Sequence, residues 1–141
     1  MKRAGIMMLA GGMLLLLVIS CATAPPKTPL GEGELRLLKV APAESGTLLV
    51  TVNHPIIINF EADGDPQVTR VCFFWSGEGP YCYPVKDVNY GGHASIEVSL
   101  KIRDGSNWLE VYVEYMRNGK KDRSNRISTS ITGYTTSFRR F

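Results

Sequence analysis

The sequence predicts an all-β chain, an antiparallel β-sandwich of about seven or eight short strands. Three observations predict it. From Leu35 onward apolar residues recur at every second position, the period of a half-buried strand. Turn-forming residues interrupt that pattern at regular intervals. No stretch of this part carries a convincing helical period.

The elements follow in order. "LRLLKV" (35–40) and "TLLVTV" (47–52) read as two strands split by "APAESG". "PIIINFEA" sets Ile56, Ile58, Phe60 and Ala62 against Ile57, Asn59 and Glu61. "QVTRVCFFW" (67–75) and "YCYPV" (81–85) read as a hairpin centred near Gly77, with Val71, Phe73 and Trp75 on one side and Arg70, Cys72 and Phe74 on the other. "ASIEVSLKI" is the clearest alternation, with Ala94, Ile96, Val98, Leu100 and Ile102 on a single face. "RDGSN" reads as a turn, and "WLEVYVEYM" follows with Leu109, Val111, Val113 and Tyr115 inward and Glu110 and Glu114 outward. Asn118-Gly119 is a hairpin signal, because both residues tolerate positive φ. The predicted return strand is Arg126–Tyr134, with Ile127, Thr129 and Ile131 inward.

The N-terminus has another character. Lys2 and Arg3 precede the uncharged, Leu- and Met-rich run Gly5–Ser20. A bilayer span needs about 20 apolar residues, so the run is short for one and reads as a secretory signal over 1–20. Removing it leaves 14 Lys+Arg against 13 Asp+Glu (16 − 2 and 13), a balance that argues against a nucleic-acid partner. Val18, Ile19 and Ser20 precede Cys21. This tetrapeptide resembles the lipobox of bacterial lipoproteins. The resemblance implies cleavage before Cys21, a diacylglyceryl thioether on its sulfur, and a fatty acyl chain such as palmitate on its new amino group. Two or three chains hold a protein on a membrane where one alone holds weakly. Ala22, where an aspartate would imply inner-membrane retention, implies the outer membrane of a Gram-negative cell. Residues 21–34, rich in Pro and Gly, read as lipidated N-terminus and flexible tether, and 35–141 as the single folded domain.

Cys72 and Cys82 fall opposite each other across the hairpin, within disulfide range. Exported proteins keep disulfides, and closing this loop contributes about 3 kcal/mol in the chain-entropy model. The competing metal or thiol site lacks a C-x-x-C, and His54 and His93 have no neighbours at ligand spacing.

"LKIRDGSNWLEVYVEY" (100–115) is similar to a hairpin pattern of bacterial Ig-like and fibronectin III-like domains, through Ile102, Gly105, Asn107, Leu109, Val111 and Val113. The resemblance implies an Ig-like sandwich and a turn supported by the Asn107 side chain. The following turn, Arg117-Asn118-Gly119-Lys120, departs from the family's usual Asp-x-x-Gly-Asn.

No nucleophile–base constellation and no cofactor motif is present in the sequence, so an enzyme is not expected. The candidate partner-binding residues are Phe74, Trp75, Tyr81 and Tyr83, on the stapled hairpin. Glu61, Asp63 and Asp65 are a weak calcium candidate beside the plainer reading of a solvated turn. Arg117, Lys120, Lys121, Arg123 and Arg126 make a basic hairpin suited to lipid headgroups or to discouraging edge pairing. The expectation is a lipid-anchored envelope module that binds or scaffolds an envelope protein. The alternative is capture of a carbohydrate or host enzyme through the aromatic hairpin 72–83.

Overall fold

The alternation becomes two facing sheets. The computed structural model describes residues 27–85 and 87–136; segment 1–20, Cys21 and the first part of the tether lie outside the described residues. The smaller sheet joins β1 (Leu35–Pro42), β3 (Asn53–Ala62) and β6 (Ser95–Lys101) in the order β1-β3-β6, all antiparallel. The larger sheet joins β2 (Leu48–Leu49), β4 (Val68–Trp75), β5 (Glu78–Pro84), β7 (Gly105–Arg117) and β9 (Ile127–Tyr134) in the order β2-β9-β7-β4-β5. In addition, β8 (Lys120–Arg123) pairs with β7. The β2–β9 pairing alone among these is parallel.

Both sheets bury their facing sides in a single core. The smaller sheet contributes Leu35, Leu37, Val40, Ile56, Ile58, Phe60, Ile96 and Leu100, and the larger contributes Val71, Phe73, Trp75, Leu109, Val111, Val113, Tyr115 and Ile131. The inward faces read from β3, β4, β6 and β7 are those found. In β1 the phase changes partway. Leu37 pairs with Phe60 and Lys39 with Asn59, so Leu38 is bulged out and stands 44% exposed. The extra residue returns Val40 to the core, which a strict period of two would have turned to solvent.

Three elements differ from the sequence reading. "TLLVTV" was expected to be a full strand; only Leu48–Leu49 pairs, with Gly133 and Tyr134. His54 is buried, and its Nε2–H donates to the Leu49 carbonyl at 3.0 Å, which ties this short piece to β3. The strand returning from Asn118-Gly119 begins at Lys120, not Arg126. It runs as β8 and then, after an irregularity at 124–126, as β9. Asn118 and Gly119 have φ of 50° and 78°, the two-residue turn that the dipeptide favours. Finally, β6 and β7 are not a hairpin. They lie in different sheets, and Ile102–Asp104 carries the chain across. Asn107 still supports this corner, its Nδ2–H donating to the Arg103 and Gly105 carbonyls, each at 3.0 Å.

The chain enters at one end of the sandwich. Glu34 N–H donates to the Gly31 carbonyl, Gly33 N–H to Asp63, and Arg117 Nε–H to the Glu32 carbonyl, so 31–34 is fastened to the domain rather than continuing as free tether. Along β7 the opposite end is about 40 Å away at ~3.3 Å per residue.

Candidate functional site

The β4–β5 hairpin stands at that far end. Trp75 and Glu78 close a two-residue turn, Ser76–Gly77, with both φ values positive. Ser76 N–H donates to the Trp108 carbonyl and Trp108 N–H to Ser76 Oγ, at 2.8 and 3.2 Å. The turn is thereby fixed to β7.

Cys72 and Cys82 are directly paired in register and joined by a disulfide, as the hairpin geometry predicted. Cys72 is fully buried on the outer face of the larger sheet. Phe74 and Tyr112 lie on that face with ring centroids 5.9 Å apart. Arg126 covers Phe74 at 4.6 Å and Tyr112 at 5.6 Å, and Arg123 covers Tyr112 at 5.3 Å. These guanidinium groups seal an apolar patch while keeping their charge in water. Glu110 faces Arg126 at 3.7 Å, and Glu114 holds Arg70 at 2.7 Å.

The four candidate aromatics separate. Trp75 points into the core and is 6% exposed, which removes it from any binding surface. Phe74 belongs to the covered outer patch. Tyr81 and Tyr83 are 41% and 47% exposed. They pair with Phe73 and Val71 and share their inward side, but β5 is the sheet's edge, beyond the cover of the smaller sheet. Tyr83, Pro84 and Val85 face Val98 and Leu100 of β6 across a cleft of about 310 Å³.

Arg103, from the sheet-to-sheet connection, organises the far end. Its guanidinium lies 5.9 Å from the Trp75 ring and 5.4 Å from the Tyr81 ring. It donates to the Glu78 carboxylate and, at 3.2 Å, to the Tyr81 hydroxyl. The hydrogen bonds to Glu78 and then Tyr81 push its pKa above the ordinary arginine value. Trp108, 49% exposed on the outer face, is the indole presented to solvent at this end. Reading the sequence for a binding residue missed Trp108 and Arg103. Parity held the signal for Trp108, which shares the outward register of Glu110 and Glu114.

Two of the three calcium candidates are used within the fold, and Asp65 is exposed. Glu61 pairs with Arg36 at 3.2 Å, and Asp63 accepts from Gly33 N–H at 2.9 Å. Among the described residues no group of three or more His, Cys, Asp or Glu comes together to hold a metal. What the far end offers chemically is aromatic faces, a phenol hydroxyl and an oriented guanidinium. Compared with protein-family models, curated proteins and solved structures, the chain matches none.

Proposed function

We propose that this chain is an envelope lipoprotein. Cys21 carries the lipid, the tether follows, and a single Ig-like sandwich acts as a non-catalytic binding or scaffolding module for an envelope protein. The observation that carries the reading is Val18-Ile19-Ser20-Cys21 closing an uncharged apolar run behind a basic start. The Ig-like assignment is supported by the strand order, by the parallel β2–β9 pair, and by the β6-to-β7 passage between sheets. The arrangement of ends adds to it: the chain enters at one end, and the exposed aromatics cluster towards the other. With Ala22 after the cysteine, the location in a Gram-negative cell is the outer membrane.

The test is palmitate labelling with membrane fractionation of wild type and Cys21→Ala. Label and membrane retention in wild type, both lost in the variant, support the reading. A variant that stays on the membrane sinks it. A photo-crosslinker at Tyr81 tests the binding role in cells, and failure to trap any envelope protein there removes it.

A second reading, capture of a carbohydrate or host enzyme, is favoured by the exposed Tyr81, Tyr83 and Trp108. Its probe pair is Tyr81→Ala and Trp108→Ala, because Trp75 is core. A glycan-array or lysozyme-inhibition signal unaffected by both substitutions would exclude this surface.

A further inference from the structure

Arg70, Lys121 and Arg123 line a cleft of about 380 Å³ on the larger sheet, together with Glu114 and Asp122. Both carboxylates are already engaged. Glu114 is 13% exposed and holds Arg70 at 2.7 Å, and Asp122 accepts from Arg117 at 3.3 Å and from the Arg123 N–H at 2.8 Å. The cations are less fully matched. Arg123 stacks on Tyr112, is 66% exposed, and stands 3.7 Å from Glu114. Among the described residues Lys120 and Lys121 form no ion pair, and both are exposed. The nearby acidic groups at the entry of the chain have partners of their own: Arg36 pairs with Glu34 and Glu61, and Gly33 N–H donates to Asp63.

The cleft also sits where the tether leaves. Arg117, which pairs with Lys120 beside the β7–β8 turn, holds the Glu32 carbonyl at 2.8 Å. Through Arg117 the turn of this hairpin lies beside the exit of the chain. From Cys21 to Gly31 the tether spans ten residue-to-residue steps. Fully extended it reaches at most about 35 Å, and as a flexible coil roughly half that. A lipid on Cys21 would keep this end within a short distance of the bilayer at all times.

From the charge and the tether geometry we infer that this cleft and the Lys120–Lys121 hairpin bind the phosphate groups of anionic phospholipids. The domain then rests hairpin-down on the bilayer, with the Tyr81 and Trp108 end directed away. This rests on the lipoprotein reading for its setting, although the contact itself can be measured without the lipid. Arg123, pre-oriented by Tyr112, and Arg70, held by Glu114, provide fixed donors; the lysines provide mobile charge.

The test is vesicle flotation of the chain from residue 21 with Cys21→Ser, which retains every described core residue, Leu35 to Ile131. Vesicles are pure phosphatidylcholine, or equal parts phosphatidylcholine and phosphatidylglycerol, at low ionic strength. Binding is expected on the anionic vesicles alone. Lys120→Glu/Lys121→Glu is expected to weaken it by about tenfold or more, at ~1 kcal/mol per surface cation. Both positions are exposed, and an unchanged circular dichroism spectrum keeps the comparison valid. Equal binding to neutral vesicles, or full binding by the charge-reversal variant, overturns the inference. Release by inorganic phosphate beyond that caused by chloride at equal ionic strength supports a phosphate contact. Palmitate labelling reports on the anchor independently, so either idea can fail alone.

Discussion

The Asn125 side chain makes both backbone hydrogen bonds of Leu37: its Oδ1 accepts from the Leu37 N–H at 2.8 Å, and its Nδ2–H donates to the Leu37 carbonyl at 3.0 Å. Asn125 follows β8 in the larger sheet's connection, whereas Leu37 lies beside the bulge of β1 in the smaller sheet. One amide therefore stands in for a missing neighbouring strand and closes the sandwich on that side. Asn125→Ala should cost about 1–3 kcal/mol, because it leaves two partly buried groups unpaired. Asn125→Asp keeps the acceptor and loses the donor, so it should fall at the milder end. Urea denaturation checks the order, and an alanine variant as stable as wild type would refute the role.

A second link crosses the same gap. Leu35 N–H donates to the hydroxyl of Tyr115, 1% exposed, at 3.1 Å. Tyr115→Phe keeps the ring and removes the acceptor, and should cost on the order of 1 kcal/mol. If Asn125 and Tyr115 hold β1 as one unit, the double variant will lose more or less than the sum of the two. Strict additivity in thermal and urea melts would show two independent fasteners.

The disulfide joins strands already paired in register, so its contribution comes mainly from closing the loop 72–82 in the unfolded chain. The expected effect of Cys72→Ala/Cys82→Ala is a loss of about 3 kcal/mol. Reductant should lower the melting temperature of wild type and leave the double variant unchanged. Two thiols labelled in non-reduced, denatured protein, beyond Cys21, would contradict the bond.

The strands were legible in the sequence wherever one face is wet, as in β3, β6 and β7. Burial there imposes a strict alternation that composition cannot hide. Period alone says which side faces inward but not which sheet a strand joins; that is why β6 and β7 read as a hairpin although they lie in different sheets. β8 was missed because "KKDR" is charged throughout, and its pairing with β7 rests on the Asn118-Gly119 turn and backbone bonds rather than on burial. Leu48–Val52 carries apolar residues without alternation, so its length gave no hint that only two residues pair. Of the candidate site, parity put Trp75 on one side with Val71 and Phe73, but period alone does not say which side of a hairpin is covered, and Trp75 turns out to be core. The exposure of Tyr81 and Tyr83 depends on β5 being an edge, which no local pattern records. Arg103 sits on the crossing between the two sheets, a position that no local pattern records.

Gly133 shows a constraint of the same long-range kind. A Cβ built there would come within 2.2 Å of the Arg103 carbonyl oxygen, a backbone atom that cannot swing aside. Close approach of β9 to the corner that carries Arg103 requires the missing side chain. Gly133→Ala should destabilise by about 1–3 kcal/mol or more through forced backbone movement. It should also weaken the Arg103–Tyr81 contact, seen as altered tyrosine fluorescence. Gly46→Ala, with open space around it but a φ of 126°, is the control for backbone strain without a clash.

Acid should loosen the entry of the chain. Glu34 Oε2 accepts from Gly31 N–H at 2.6 Å, and this bond, with the charges of Arg36 and Arg117, lowers the Glu34 pKa below its ordinary value of 4.5. A carboxyl whose folded pKa is depressed adds stability that is present above the unfolded value and lost as pH falls through the folded one. The Gly31–Glu34 turn should therefore be intact at neutral pH and released progressively below about 4.5. Glu34→Gln should be less stable than wild type at neutral pH, and the two should converge in acid. Amide exchange at Gly31 reports the turn directly: protection in wild type should drop over the same interval, while Glu34→Gln should show little pH dependence of protection there. A stability gap that stays constant from neutral to acid pH would mean that the Glu34 charge does not hold the turn.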